Sequence, residues 1–146
     1  MRWDIFWTDK KLNCSSDPLY NGEANWYDPY VSYAVENGVI DAKYASYSPA
    51  QMNAVITRQE FVHILYGAHA FYGYRPMNSI ADNSIPDVKM GSAYASEIYE
   101  FYRAGILTGS DAAGTFCPGA SIKRSEVAAI LVRMYDDTAR QYVSLP

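Results

Sequence analysis

Ile56-Thr57-Arg58-Gln59-Glu60-Phe61 returns as Ile122-Lys123-Arg124-Ser125-Glu126-Val127, its isoleucine, arginine and glutamate recurring after 122 − 56 = 66 residues. Working outward from this pair, Glu36-Asn37-Gly38-Val39-Ile40 is answered by Arg103-Ala104-Gly105-Ile106-Leu107, and Tyr47-Ser48-Pro49 by Phe116-Cys117-Pro118. The spacings differ slightly, as small insertions within each copy require. A repeat of this length holds more than one helix. The chain therefore reads as two copies of one supersecondary unit, and the function as a property of the array.

Periodicity and stop signals predict four principal helices, near 29–37, 58–71, 93–104 and 124–140. In the first, Asp28 is placed to cap the free amides and Pro29 suits the opening position. Tyr27, Val31, Ala34 and Val35 share a face, and Gly38 ends the helix in the left-handed conformation. Residues 41–55 read as a loop. In the second helix Thr57 and Glu60 form a capping box, and Phe61, Ile64, Leu65 and Ala68 make the inward stripe. Residues 72–87, with Gly73, Pro76 and Pro86, read as the linker between copies. The third helix takes Ser92 as its cap, buries Ile98, Phe101 and Tyr102, and stops at Gly105. The fourth buries Val127, Ile130, Leu131 and Met134. Lys123 replaces the capping threonine there and cannot accept an amide hydrogen bond, so the box is broken, with Ser121 a less well placed substitute. The polar, turn-rich residues 1–25 read as a lead-in whose Trp3, Phe6 and Trp7 tuck against the core. The resulting division is a lead-in over 1–25, copies over 26–78 and 79–140, and a tail over 141–146, in an all-α fold.

Composition narrows the function. In 146 residues, 49% hydrophobic content with 19% charged residues describes a folded chain with a core. A net charge of −4 counts against nucleic acid. No apolar run reaches the length of a membrane span, so membrane insertion is not expected. His63 and His69 stand too far apart to share a helix face as metal ligands. Ser110-Asp111 to Gly114 gathers too few oxygens for calcium. Glu60, Glu126, Asp87 and Glu97 offer carboxylates, but the motif glutamates already have a duty as caps, and no nucleophile or phosphate loop accompanies them. The chain reads as no enzyme, and no cofactor is implied. Cys14 and Cys117 allow either one bridge or two free thiols. The fourteen tyrosines suit both half-buried packing and sugar-facing grooves, with packing the expected role for most.

The repeated arginine carries the chemical question. A helix N-terminus presents free amides and partial positive charge, which disfavours a cation there unless something compensates it. Arg58 and Arg124 either add a planar fork of donors to an anion receptor, or pair with a carboxylate on Glu60, Glu126 or a neighbouring repeat.

The ordered combination is aromatic-rich helix, Gly-aliphatic-aliphatic, aromatic-x-Pro and Ile-x-Arg-x-Glu, with Thr108-Gly109 to Thr115-Phe116-Cys117-Pro118-Gly119 between two of its parts. Found over roughly Trp26 to Asp137, it resembles the S-layer homology repeat of bacterial surface proteins. The resemblance implies tandem helix-loop-helix repeats in a partial or complete pseudo-threefold helical prism. It also implies anchoring to an acidic, pyruvylated-type secondary cell-wall polysaccharide at the cell surface. By position, it makes Arg58 and Arg124 the carboxylate-binding residues, with Thr57 and Lys123 at the groove edge, Gly38 and Gly105 as groove walls, and Trp26 and Tyr27 as sugar-stacking groups. The family usually assembles three repeats, whereas two are present here. A fragment of a longer secreted protein, a lead-in that fills the third lobe, and self-association are the three ways to reconcile the count; the lack of a signal peptide suits the first. The alternative function is a structural or protein-interaction module that keeps the fold without the sugar.

Overall fold

Gly38 and Gly105 set the punctuation of the fold. Both adopt positive φ, +67° and +73°, directly after a helix, and each turns the chain toward a proline-led segment and then an Arg-led helix. The computed structural model describes residues 25–69 and 73–145, so the expectations for Trp3, Phe6, Trp7 and Cys14 lie outside the described residues. The chain divides between Asn53 and Ala54 into two compact units.

In the first unit, α1 spans Asp28–Glu36 with Pro29 in its opening turn. Tyr27, not Asp28, holds the cap position; Asp28 is already helical, and its carboxylate accepts from Asn25 Nδ2 at 3.0 Å. That bond occupies the carboxylate expected to cap the amides. After Gly38 a 3-10 turn over Ala42–Ser46 buries Tyr44, and a short helix, α2, follows at Pro49–Met52. The loop expected over 41–55 is thus largely helical. Its local cause is Ser48-Pro49-Ala50-Gln51: the Gln51 side chain accepts the Ser48 N–H at 2.9 Å, while Pro49 fixes φ in the first turn.

The second unit contains α3 (Arg58–His69), α4 (Ala95–Arg103) and α5 (Arg124–Tyr135), then a 3-10 turn at Asp137–Ala139. Among the described residues there is no strand, only an antiparallel bridge between Thr57 and Ser121. The core is built on α4: Ile98, Tyr99, Phe101 and Tyr102 are fully buried with Phe116, Ile106 and Val62. The α4 residues expected to be buried are buried. On α3 the fully buried residue is Val62, while Phe61 and Leu65 pack at the margin. The inward stripe is rotated because Arg58, one turn earlier, also faces inward.

Part of the expected linker is core. Ile80 and Ile85 are buried, as is Val88 just beyond the linker, and the Tyr99 hydroxyl accepts the Ile85 N–H at 3.0 Å while donating to Val88 O at 2.9 Å. Asn78 donates to Tyr102 O and Gln141 O and accepts the Val143 N–H. These bonds satisfy chain segments that lack a helix ladder of their own.

Two boundaries differ from expectation. α5 ends at Tyr135, not near 140, because the Asp136 carboxylate captures the Thr138 N–H at 2.9 Å and its hydroxyl at 2.6 Å. This local side-chain bond offers the backbone an alternative to the helix, and it holds the Asp136 carboxyl below its ordinary range. α4 opens at Ala95 behind Tyr94 in the left-handed conformation, with no side-chain cap; Ser92 contributes its backbone carbonyl to the Ala95 N–H instead.

Candidate functional site

The opening amides of α3 are not free. Arg58 N–H donates to Ala120 O at 2.8 Å and Gln59 N–H to Pro118 O at 3.1 Å. The Thr57 hydroxyl reaches the Glu60 amide only at 3.4 Å, a weak cap. The Arg58 side chain follows the same course inward and is 6% exposed. Its Nε donates to Phe116 O at 2.7 Å, its guanidinium lies 5.1 Å from the Phe116 ring centroid, and its Nη1 donates to the Glu126 carboxylate. Of the two roles open to a motif arginine, Arg58 makes the carboxylate pair, and the partner belongs to the second copy of the motif. Glu126 is shared: its other oxygen accepts the Lys123 N–H at 2.9 Å. The second capping box is therefore half intact, the lysine ammonium having no lone pair to accept with. Ser121 lies in the bridge to Thr57 instead of replacing the cap.

Arg124 meets different surroundings. It is exposed, and among the described residues its side chain has neither hydrogen bond nor ion pair. Gly105 is buried under the C-terminal segment, and Gln141 N–H donates to its carbonyl at 3.0 Å. Gly38, Trp26 and Tyr27 stand in the first unit. Trp26 is 69% exposed and meets Tyr27 edge-on at 5.8 Å. Tyr27 lines a cleft there with Tyr44 and Tyr47, and its buried hydroxyl has no partner among the described residues.

A groove in the second unit runs along α5. Its polar lining comprises the buried Arg58 with Glu126, Ser125, Thr108 and Arg133, and Leu107 and Ile130 supply an apolar floor. The loop forming one wall is held from several sides. Gly109 has φ +82°, and a Cβ there would lie 2.6 Å from the Gly114 backbone. Ser110 N–H donates to Thr115 O, and the Asp111 carboxylate takes the Ala113 and Thr115 amides at 3.0 Å each, which lowers its pKa. Asp87 accepts from the amides of Phe116 and Cys117 at 2.9 and 2.6 Å.

Arg133 sits at the far end of the groove. Its Nη1 donates to Ile106 O at 3.1 Å, and burial lowers its pKa. Sequence reading did not single it out. Comparison of the copies conceals it, because Gly67 holds the matching place in the first copy. Asp87 was seen as a carboxylate but not as a loop clamp. Ser110-Asp111-Ala112-Ala113-Gly114 does carry a turn signal, an Asp followed closely by glycine.

The S-layer homology domain family model matches residues 84–128, a stretch that includes α4, the groove wall and the first turn of α5, and this supports that family. Domains of this family are generally non-catalytic modules that associate with the bacterial cell wall by binding its polymers. No curated protein and no solved structure matches the chain. No helix among the described residues is long and apolar enough to cross a membrane.

Proposed function

We propose that this chain is a non-catalytic module that holds a secreted protein on the bacterial cell wall by binding an acidic, pyruvylated-type polysaccharide, with the α5 groove as its seat. The observation that carries the reading is the coincidence of the family match with the groove: Leu107, Thr108, Gly109, Ser125 and Glu126 all lie within the matched stretch. Cationic and hydroxyl side chains over an apolar floor suit a sugar with one charged substituent. Hydroxyls bond ring oxygens, apolar atoms meet the C–H face, and an arginine fork takes the anion. Arg124 and Lys123 add exposed positive charge at the α5 N-terminus, to which Thr57 is joined by its bridge to Ser121, whereas Gly105, buried under the C-terminal segment, takes no part. Within the first unit, the exposed Trp26 and the adjacent Tyr27 offer ring faces on which a sugar can stack.

The second reading, an interaction module without a glycan, draws support from the Arg58–Glu126 pair, which commits one motif arginine to structure. Sedimentation with purified cell walls separates the two. Retention on native walls, lost when the secondary polysaccharide is stripped from the peptidoglycan, is the expected result. A folded protein that stays in the supernatant with native walls would overturn the anchoring reading.

A further inference from the structure

We infer that Arg133, and not the motif arginine Arg58, takes the carboxylate of the acidic polysaccharide in the α5 groove. The inference rests on the anchoring reading above. Its starting point is the charge balance of the groove. Arg58 and Glu126 form an ion pair and cancel. Arg133 is the remaining charge among the residues that line the groove, and among the described residues it has no carboxylate partner. Its side-chain hydrogen bond is to a neutral carbonyl, Ile106 O, and it uses one nitrogen.

A guanidinium carries five donors in a flat fork and stays protonated at any physiological pH. Partial burial disfavours that charge, as its lowered pKa records, so a charged group without a counter-ion stands partly withdrawn from water. An anion arriving in the groove supplies the missing counter-charge and uses donors that are already oriented. Arg58 lacks this capacity: it is 6% exposed, and its Nε and Nη1 are spent on Phe116 O and Glu126. The net charge of the groove suits a single negative charge.

The fold supplies the rest of a sugar site along the same stripe. Ser125 and Arg133 lie two turns apart on α5, about 12 Å along the axis, so a ligand reaching both is longer than one sugar ring. Ile130 and Leu107 lie in the floor, and Thr108 adds a hydroxyl from the opposite wall. Gly67 stands at the corresponding place of the first copy, so only the second copy carries this cation.

The test is a binding cycle on the full chain with purified bacterial secondary wall polysaccharide. The glycan is used native and after carbodiimide–borohydride reduction, which turns carboxylates into alcohols and leaves phosphodiesters intact. Wild type, Arg133→Gln and Arg58→Gln are compared, each with a thermal melt. Reduction of the carboxylates is expected to weaken wild-type binding about tenfold or more, and Arg133→Gln to weaken binding to the native glycan similarly. On reduced glycan, Arg133→Gln and wild type are expected to bind alike. Arg133→Gln keeps an amide donor for Ile106 O, so a purely structural arginine would leave the carboxylate dependence of binding unchanged. Should Arg133→Gln fail to fold, Arg133→Lys runs the same cycle, with charge kept and fork lost, and a smaller loss confined to native glycan is expected. Wild type that binds native and reduced glycan equally overturns the carboxylate assignment while the anchoring reading stands. A folded Arg133→Gln that binds native glycan like wild type overturns the role of Arg133. Wild type that binds neither form overturns the anchoring reading and this inference with it.

Discussion

Arg58 and Arg124 hold the same step of one motif, yet one is buried in an ion pair and the other is exposed to solvent. The sequence presents them as equivalents, because the motif reports the helix start and not what the side chain meets. What Arg58 meets is Phe116 and Glu126, 58 and 68 residues away along the chain, and no local pattern encodes that distance. The difference has a measurable consequence. Arg58→Ala leaves a partly buried carboxylate and the Phe116 carbonyl without their donor, and is expected to cost about 2–3 kcal/mol. Arg124→Ala is expected to stay within about 0.5 kcal/mol, as exposed substitutions do. Urea melts of both variants check this; equal losses would show that the two arginines are structurally alike after all. The paired glycines divide in the same way. Both have positive φ, which costs an alanine about 1–2 kcal/mol. At Gly38 an added Cβ meets nothing within 4 Å, whereas at Gly105 it would lie 2.6 Å from Gln141 O and from the Met77 sulfur. Gly105→Ala is therefore expected to lower stability well beyond Gly38→Ala, and similar losses in denaturant melts would remove the close approach from the account.

At the scale of elements, helix existence was legible and helix environment less so. Proline at the start and glycine after the end bracket α1; the stop glycine and a strong apolar stripe mark α4. The α5 end was missed because Asp136 is an ordinary polar residue until its carboxylate turns back on Thr138. α2 was missed although Ser48 and Gln51 carry a readable box, since a four-residue helix has no periodicity to detect. The groove wall was legible as a loop, but its rigidity was not, for it depends on Asp87, 29 residues from the amide of Phe116. Asp87→Asn keeps one acceptor and forfeits the charge and the second bond. It is expected to cost about 1.5–3 kcal/mol, the range for hydrogen bonds to charged groups. Hydrogen exchange at the amides of Phe116 and Cys117 should accelerate more than at the α4 amides. Unchanged exchange at those two amides would show that the wall is held by other means.

For the molecule as a whole, the richness in tyrosine proves to be partly a matter of core construction. Tyr99 and Tyr102 are fully buried with their hydroxyls bonded to backbone, as expected for an amphipathic ring that must satisfy its polar tip. Tyrosine environments also make stability sensitive to alkali, through Tyr66, Tyr74 and Tyr102. The Tyr66 pKa is pushed up to about 12, first by its hydrogen bond to Glu100 and then by burial and by the nearby charges of Glu100 and Glu97. Burial also pushes the Tyr102 and Tyr74 hydroxyls up. A raised pKa means that the folded state holds the proton more tightly than the unfolded chain, whose tyrosines titrate near 10. The stability contributed by these groups is fully present below pH 10 and is lost as pH rises through the folded values. Denaturant midpoints are thus expected to be insensitive to tyrosine ionisation up to about pH 10 and to fall between about pH 10 and 12. Tyr66→Phe removes one titrating hydroxyl, so its midpoint should fall less steeply over that interval than that of wild type. A Tyr66→Phe variant with the same alkaline slope would show that the proton on Tyr66 contributes nothing to the fold.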